Sequence, residues 1–191
     1  MNTAKGLLVV LSSPSGGGKT TVIKRVIDSH PDYNYSISMT TRSKRKGEVN
    51  GRDYWFVSED EFNRAVSAGD LVEYENVHGR YYGTPLSKIN EWLNQKKIVL
   101  LDLDVYGALR VKQKFNNKAL LIFLKPPDEQ SLVERLLNRS TETQQQIEKR
   151  LDRMPEEMKM AEKFDAIVIN DNLDETVKQV KMLVEQKRSK L

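Results

Sequence analysis

Five consecutive apolar residues, Leu7 to Leu11, run into Ser12-Ser13-Pro14-Ser15-Gly16-Gly17-Gly18-Lys19-Thr20-Thr21, and this junction constrains the fold more than any other stretch. The apolar run reads as a buried strand and the residues after the glycines as a helix, so a glycine loop joins a strand end to a helix start. Consecutive glycines let backbone N–H groups turn inward around phosphate oxygens, and the helix N-terminus adds the positive end of its dipole. Lys19 is then placed to reach the β- and γ-phosphates of a nucleotide, and the Thr20 hydroxyl to ligate Mg²⁺. The spacing GxxxxGK[ST] calls for glycine at position 13, where this chain has Ser13; Gly18, Lys19 and Thr20 are in register. The alternative is a flexible glycine turn beside a chance lysine, and the strand before the loop argues against it.

The totals agree with a chain that folds around such a loop. At 191 residues it fits one domain, or one domain with an insertion, and a chain of this length buries roughly 70% of its unfolded surface. Hydrophobic residues make up 38% and charged residues 30%, which argues against disorder. The absence of cysteine excludes disulfides and thiolate metal sites and suits a reducing compartment. Met1 to Gly6 carries Lys5 as its only charged side chain, and the apolar run after it is too short for a signal sequence or a spanning helix. A cytoplasmic protein without a membrane partner is expected. The net charge of +4 arises from 31 basic and 27 acidic residues, an excess that nucleotide phosphates satisfy as well as nucleic acid does. One basic cluster stands out, Arg42, Lys44, Arg45, Lys46 and Arg52, whereas Lys187 to Lys190 reads as a complement to the last helix dipole. His30 and His78 lie far apart and belong to no recognisable metal motif, so they read as solvated or lightly packed.

Apolar runs recur at Leu7 to Leu11, Ile98 to Leu103, Leu120 to Leu124 and Ala166 to Ile169, with amphipathic stretches between them. That alternation predicts an α/β fold in which a parallel sheet is covered by helices. Thr20 to Asp28 is expected to be a helix with Val22, Ile23, Val26 and Ile27 on one face, and Tyr35 to Ser38 a short strand. Residues 38–84 change character: tyrosines and basic residues alternate with glycines, which marks a separate lobe. Within it Ser58 to Glu61 has the form of a capping box before a helix from Glu59 to Ala68, and Leu71 to Val77 and Tyr81 to Tyr82 flank a turn. A helix from Pro85 to Asn94 is expected with Pro85 at its first position behind a Thr84 cap. Helices from Asp128 to Arg139, from Glu142 to Lys163 with Pro155 kinking or dividing it, and from Leu173 to Lys190 follow.

Two further constellations can carry chemistry. The strand from Ile98 ends in Asp102-Leu103-Asp104, and in an open parallel sheet ligands bind beyond the strands' carboxyl ends. The two carboxylates share a face, and Asp102 can assist Mg²⁺ or its waters. Aspartates also commonly end strands and cap the next helix, which is the structural alternative. Arg135 and Arg139 lie four apart on one helix face and Arg150 lies on the following helix. Cations so arranged stabilise a phosphoryl group in transfer; taken alone, they read better as surface partners of Glu134, Glu142 or Glu148.

The loop, Ser38-Met39-Thr40-Thr41-Arg42-Ser43-Lys44-Arg45, Gly47-Glu48-Val49-Asn50-Gly51-Arg52-Asp53-Tyr54 and Tyr81-Tyr82-Gly83-Thr84 together resemble guanylate kinase. So do Asp102-Leu103-Asp104, Pro126-Pro127, Arg135 to Arg139 with Thr141-Glu142, and Ile169-Asn170-Asp171, in the same order from about residue 5 to residue 189. The resemblance implies a phosphate-loop NTPase-type parallel sheet with helices on both faces. The core comprises 1–37, 85–127 and 164–191, the GMP-binding lobe 38–84 and a helical lid 128–163. It implies transfer of the γ-phosphoryl of ATP to GMP, and by the same base to dGMP, giving ADP and GDP with Mg²⁺. Ser38, Arg42, Arg45, Tyr54, Glu73, Tyr82, Thr84 and Asp104 then match the GMP-binding set. Ser15, Gly16, Gly17, Gly18, Lys19, Thr20, Thr21 and Asn170 match the ATP side. Lys19, Arg42, Arg135, Arg139 and Arg150 match the catalytic cations, and Thr20 with Asp102 the Mg²⁺ position, directly or through water.

The chemistry of the base supports these roles. Guanine presents N1–H and N2–H₂ donors beside the O6 acceptor, so Glu73 or Asp104 can accept while Ser38 or Thr84 donates; adenine reverses the pattern, and a site built on buried carboxylates rejects it. Arg42 and Arg45 supply forks and Tyr54 and Tyr82 hydroxyls for the phosphate. Three positions depart from the resemblance: Ser13 in the loop, Tyr106 where glutamine is usual, and Ser140 where glycine is usual after Arg139. The alternatives are a non-catalytic interaction module of the same fold, which typically loses the loop lysine or glycines, and a kinase for another nucleoside monophosphate. A monomer and a homo-oligomer are equally compatible with these residues, and no nucleic-acid partner is expected.

Overall fold

The computed structural model describes residues 5–14, 16–30, 32–77, 79–137 and 144–191. Strand β1 (Leu7–Ser12) is buried at all six positions, because it is central in a sheet covered on both faces. Around it lie β2 (Tyr33–Tyr35), β7 (Ile98–Asp102), β8 (Ala119–Lys125) and β9 (Ala166–Ile169), all parallel, in the order β2-β7-β1-β8-β9. Continuous apolar runs rather than alternating ones are what two covered faces require. Helices α1 (Lys19–Asp28) and α7 (Leu173–Arg188) cover one face with Val22, Ile23, Val26, Val177, Val180 and Val184. On the other face α3 (Leu86–Asn94) and α4 (Val105–Phe115) bring Ile89, Val105, Ala108 and Val111, joined by Ala161 and Phe164. Fully burying each of these valine, isoleucine and phenylalanine side chains contributes about 1.5–3 kcal/mol.

A second sheet holds β4 (Trp55–Phe56), β3 (Met39–Thr40), β6 (Arg80–Pro85) and β5 (Leu71–Val77) in that order. Only the β3–β4 pair is parallel. Its helix α2 (Glu59–Ser67) starts at the Ser58–Glu61 capping box, with the Ser58 hydroxyl accepting from the Glu61 N–H and the Glu61 carboxylate from the Ser58 N–H. Phe62 on α2 is fully buried against the rings of Tyr81 and Tyr74, at 5.4 and 6.3 Å between centroids. Gly83 is the residue that allows this closeness, since a Cβ there would fall 2.8 Å from Leu71 and 3.0 Å from Phe62.

Some local expectations shift. The strand expected at Tyr35 to Ser38 ends at Tyr35, and Pro85 is the N-cap of α3 rather than its first residue. Thr84 does not cap that helix, because its hydroxyl is engaged by a buried carboxylate. Of the helix expected over 142–163, residues 142 and 143 lie outside the described residues; the rest is α6 (Gln144–Met160), unbroken at Pro155 and followed by a 3₁₀ turn, Ala161–Lys163. Helix α5 (Glu129–Leu137) packs on it through Leu132 and Met154.

Candidate functional site

The phosphate loop leaves the carboxyl end of the central strand, between β7 and β8, where the chain's connections diverge to opposite sides of the sheet. Gly16 and Gly18 have φ of 87° and 86°, the left-handed region that glycine enters without strain. Gly18 is the N-cap of α1, which has no side-chain cap and no acidic residue in its first turn. A helix N-terminus without an internal anion leaves its N–H groups and dipole to an external one.

Ser13 shapes this loop from inside. Its side chain is buried, its hydroxyl donates to the Pro14 carbonyl at 2.8 Å, and it fills the space where a Cβ on Gly17 would be. Lys19 reaches back over the loop, its Nζ donating to the Ser13 hydroxyl at 3.3 Å and carbonyl at 3.4 Å. From the far side Asn170, after β9, donates from Nδ2 to the Gly17 carbonyl at 2.7 Å. Asn170, which the resemblance matches to the ATP side, is thus buried against the loop itself. Ser15 lies outside the described residues.

Thr20 and Asp102 meet beside the loop, the hydroxyl donating to Oδ2 at 2.9 Å. A hydroxyl and a carboxylate so placed are hard oxygen donors of the kind Mg²⁺ takes, together with phosphate oxygens and water. Among the described residues no group of three or more acidic or histidine side chains gathers elsewhere to hold a metal.

Facing the loop across a cavity of about 220 Å³ is the second sheet; Lys19, Ser38, Tyr54, Glu73, Tyr82 and Asp104 are among the lining residues. Glu73 on β5 is 8% exposed, and the Thr84 hydroxyl donates to its Oε1 at 2.6 Å. Burial is the largest influence on Glu73 and pushes its carboxyl above the usual range. Asp104 caps α4, accepting from the Gly107 N–H at 2.6 Å. A Cβ at position 107 would come within 3.1 Å of both carboxylates, so glycine there lets them converge. The two readings of Asp104, cleft residue and helix cap, therefore both hold.

Beside Tyr54, which lines the cavity, Arg42 is clasped by Glu48, with Nη1 to Oε2 at 2.9 Å and Nη2 to Oε1 at 2.7 Å. Its guanidinium lies 5.3 Å from the Tyr54 ring centroid and 5.5 Å from that of Phe56. The hydrogen-bonded carboxylate holds Arg42 above its ordinary value and Glu48 below. Arg45 is exposed and reaches this group by its backbone, its N–H donating to Glu48 at 2.7 Å. Burial pushes the Tyr54 hydroxyl up to about 12, with Asp102 and Tyr82 acting in the same sense.

Of the cations expected in a lid, Arg135 falls in α5 and Arg150 in α6 by backbone, and Arg139 and Ser140 lie outside the described residues. Tyr106, at the first turn of α4, donates to Glu156 of α6. Glu48 and Glu75 were missed by the sequence reading. Glu75 lines the same cavity two residues after Glu73 on one strand, a spacing that places both on one face. Glu48 gave no comparable signal, since only the turn between Arg45 and Glu48 brings it back to Arg42.

Comparisons with known proteins follow this geometry. A family profile described as guanylate kinase matches residues 5–187. The chain is 45% identical over 182 residues to a guanylate kinase of Lactobacillus acidophilus, covering 95% of this chain and 89% of that one. It is 41% identical over 181 residues to one of Lactococcus lactis, covering 95% and 88%. The crystal structure of guanylate kinase from Anaplasma phagocytophilum superposes with a TM-score of 0.80 at 28% identity, over 97% of this chain and 88% of that one.

Proposed function

The chain belongs to the guanylate kinase family, and on that premise we propose how its two-sided cleft performs the phosphorylation of GMP by ATP. The phosphate loop holds the donor: N–H groups of the glycine turn and α1 enclose the phosphates, and Lys19 leaves Ser13 to meet the β- and γ-oxygens. Thr20 and Asp102 would hold Mg²⁺, which would neutralise charge on the phosphates when bound. The second sheet holds the acceptor. Glu73 and Asp104 accept from the guanine N–H groups, Ser38 serves its O6, Thr84 holds Glu73 through its hydroxyl, and Arg42, Arg45, Tyr54 and Tyr82 grip the monophosphate.

The observation that carries this reading is the buried, hydroxyl-bonded Glu73 facing the loop across one cavity, because an acidic acceptor suits guanine and leaves adenine's ring nitrogen without a donor. Phosphoryl transfer needs little covalent participation, so positioning and cations carry the rate. Arg135, Arg139 and Arg150 supply the remaining cations from the lid, which closes with the lobe to exclude water.

A coupled assay of ADP release with GMP, dGMP, AMP, CMP and UMP tests the reading. GMP is expected to be strongly preferred, with dGMP next, and Glu73→Ala to erode that preference. Highest activity with AMP refutes it, and equal small-angle scattering with and without both nucleotides refutes the closure.

A further inference from the structure

Glu73 and Glu75 lie two apart on β5 and so project from one face, and α4 packs against that strand. Helix α4 carries Arg110 to them. Its Nη2 donates to Glu75 Oε2 at 2.6 Å and to the Tyr74 carbonyl at 3.5 Å, and stands 3.7 Å from Glu73 Oε2. The two oxygens of Glu73 are therefore treated differently. Oε1 is taken by Thr84, while Oε2 lies over Gly107 and toward the guanidinium.

We propose that Arg110, fixed by Glu75, is a positioning residue for Glu73: it keeps the base-reading carboxylate ionised and aimed into the cavity, and so sets the strength of the preference for guanine. The proposal rests on the guanine-reading role given to Glu73 above. A protonated Glu73 would turn an O–H toward the N–H groups of guanine, and an acceptor would be lost. Burial drives Glu73 toward that neutral form, and Asp104 from α4 and Glu75 from β5 push the same way. The Thr84 hydroxyl from β6 and the Arg110 charge oppose them. Lys19, Tyr54, Tyr82 and Asp102 line the same cavity, yet Arg110 is the cation in closest ion-pair distance to Glu73 among the described residues. Glu75 thus acts in two ways, raising Glu73 by its own charge and holding in place the cation that lowers it.

The test is the pH dependence of kcat/KM for GMP at saturating ATP in the wild type, Arg110→Gln and Arg110→Lys. The phosphate of GMP titrates near pH 6 in every reaction, so differences between the profiles belong to the protein. Arg110→Gln is expected to move the acid limb up by about one pH unit and to raise KM for GMP by up to about tenfold on the acid side of that limb, with kcat close to wild type. The low end of the usual range is chosen because the Arg110 side chain is 41% exposed. Arg110→Lys should return the limb toward the wild-type position. Arg110→Met, which keeps the apolar stem, replaces Arg110→Gln if that variant does not fold. A neutral variant whose acid limb coincides with wild type overturns the proposal, even if its melting temperature falls. A wild type that does not prefer GMP to AMP refutes the reading of Glu73 itself, whatever the Arg110 variants do.

Discussion

Gly17→Ala isolates the part that Ser13 plays in the phosphate loop. A Cβ on Gly17 would lie 2.4 Å from the Ser13 hydroxyl and 2.6 Å from its Cβ, about 1 Å inside the ordinary carbon contact distance of about 3.5 Å. Ser13 cannot yield freely, being buried, bonded to the Pro14 carbonyl and in contact with Lys19. Overpacking of this kind costs about 1–3 kcal/mol, and breaking the Ser13–Pro14 bond about 1 kcal/mol more. A strain of about 2–4 kcal/mol released by opening the loop converts to a loss of about 30- to 700-fold in kcat/KM for ATP. Binding of GMP alone, measured by calorimetry, should be unchanged, since the lobe does not touch Ser13. The double variant Ser13→Gly/Gly17→Ala removes both short contacts and leaves the Pro14 carbonyl, at 3.0 Å, as the nearest neighbour. It should regain about tenfold or more, within the coupling range of 0.5–3 kcal/mol for touching residues. A single variant with wild-type ATP kinetics, or a double variant no better than the single, refutes the steric account.

Three further outcomes are expected. Lys19→Ala should cut turnover by about 10²–10³-fold with little change in melting temperature, because in the folded protein Lys19 bonds only to Ser13 among its described hydrogen-bond partners; steady-state rates and a thermal scan decide it. Glu48→Gln weakens the two-point hold on Arg42 and should raise KM for GMP about tenfold, equivalent to about 1.5 kcal/mol for a charge-assisted bond. A lower KM would mean that Glu48 competes with the phosphate for Arg42. For Tyr54, whose ionisation is pushed from 10.0 to about 12, the folded state prefers the neutral phenol, so its stabilising contribution is complete below pH 10 and lost as pH rises toward 12. Denaturant midpoints across that window should fall less steeply in Tyr54→Phe than in the wild type, and equal slopes would contradict the burial argument.

The sequence alone determined the core sheet, the loop and the sense of the lobe. Uninterrupted apolar runs with no period-2 alternation suit strands covered on both faces, as β1, β7 and β8 are, and the same signal made β9 legible at the sheet edge although Ile167 and Ile169 are exposed there; all four ends fell within about two residues. The capping box before α2 was legible because it is a local exchange between residues three apart. What tertiary structure decided was partnership over distance. Local cap chemistry at Thr84 was overridden by Glu73, eleven residues away, because a buried carboxylate must find a donor. Asn170 became a brace for the loop 153 residues earlier because β9 ends beside β1's neighbour. Pro155 leaves α6 unbroken, and the helix buries Met154 against Leu132. Arg110 meets Glu73 and Glu75 only because α4 packs on β5, a packing that periodicity can suggest but not pair. Periodicity reports which face of an element is apolar. It carries no information about which polar group, from which other element, will complete a buried charge, and that pairing is what the folded arrangement around Glu73 supplies.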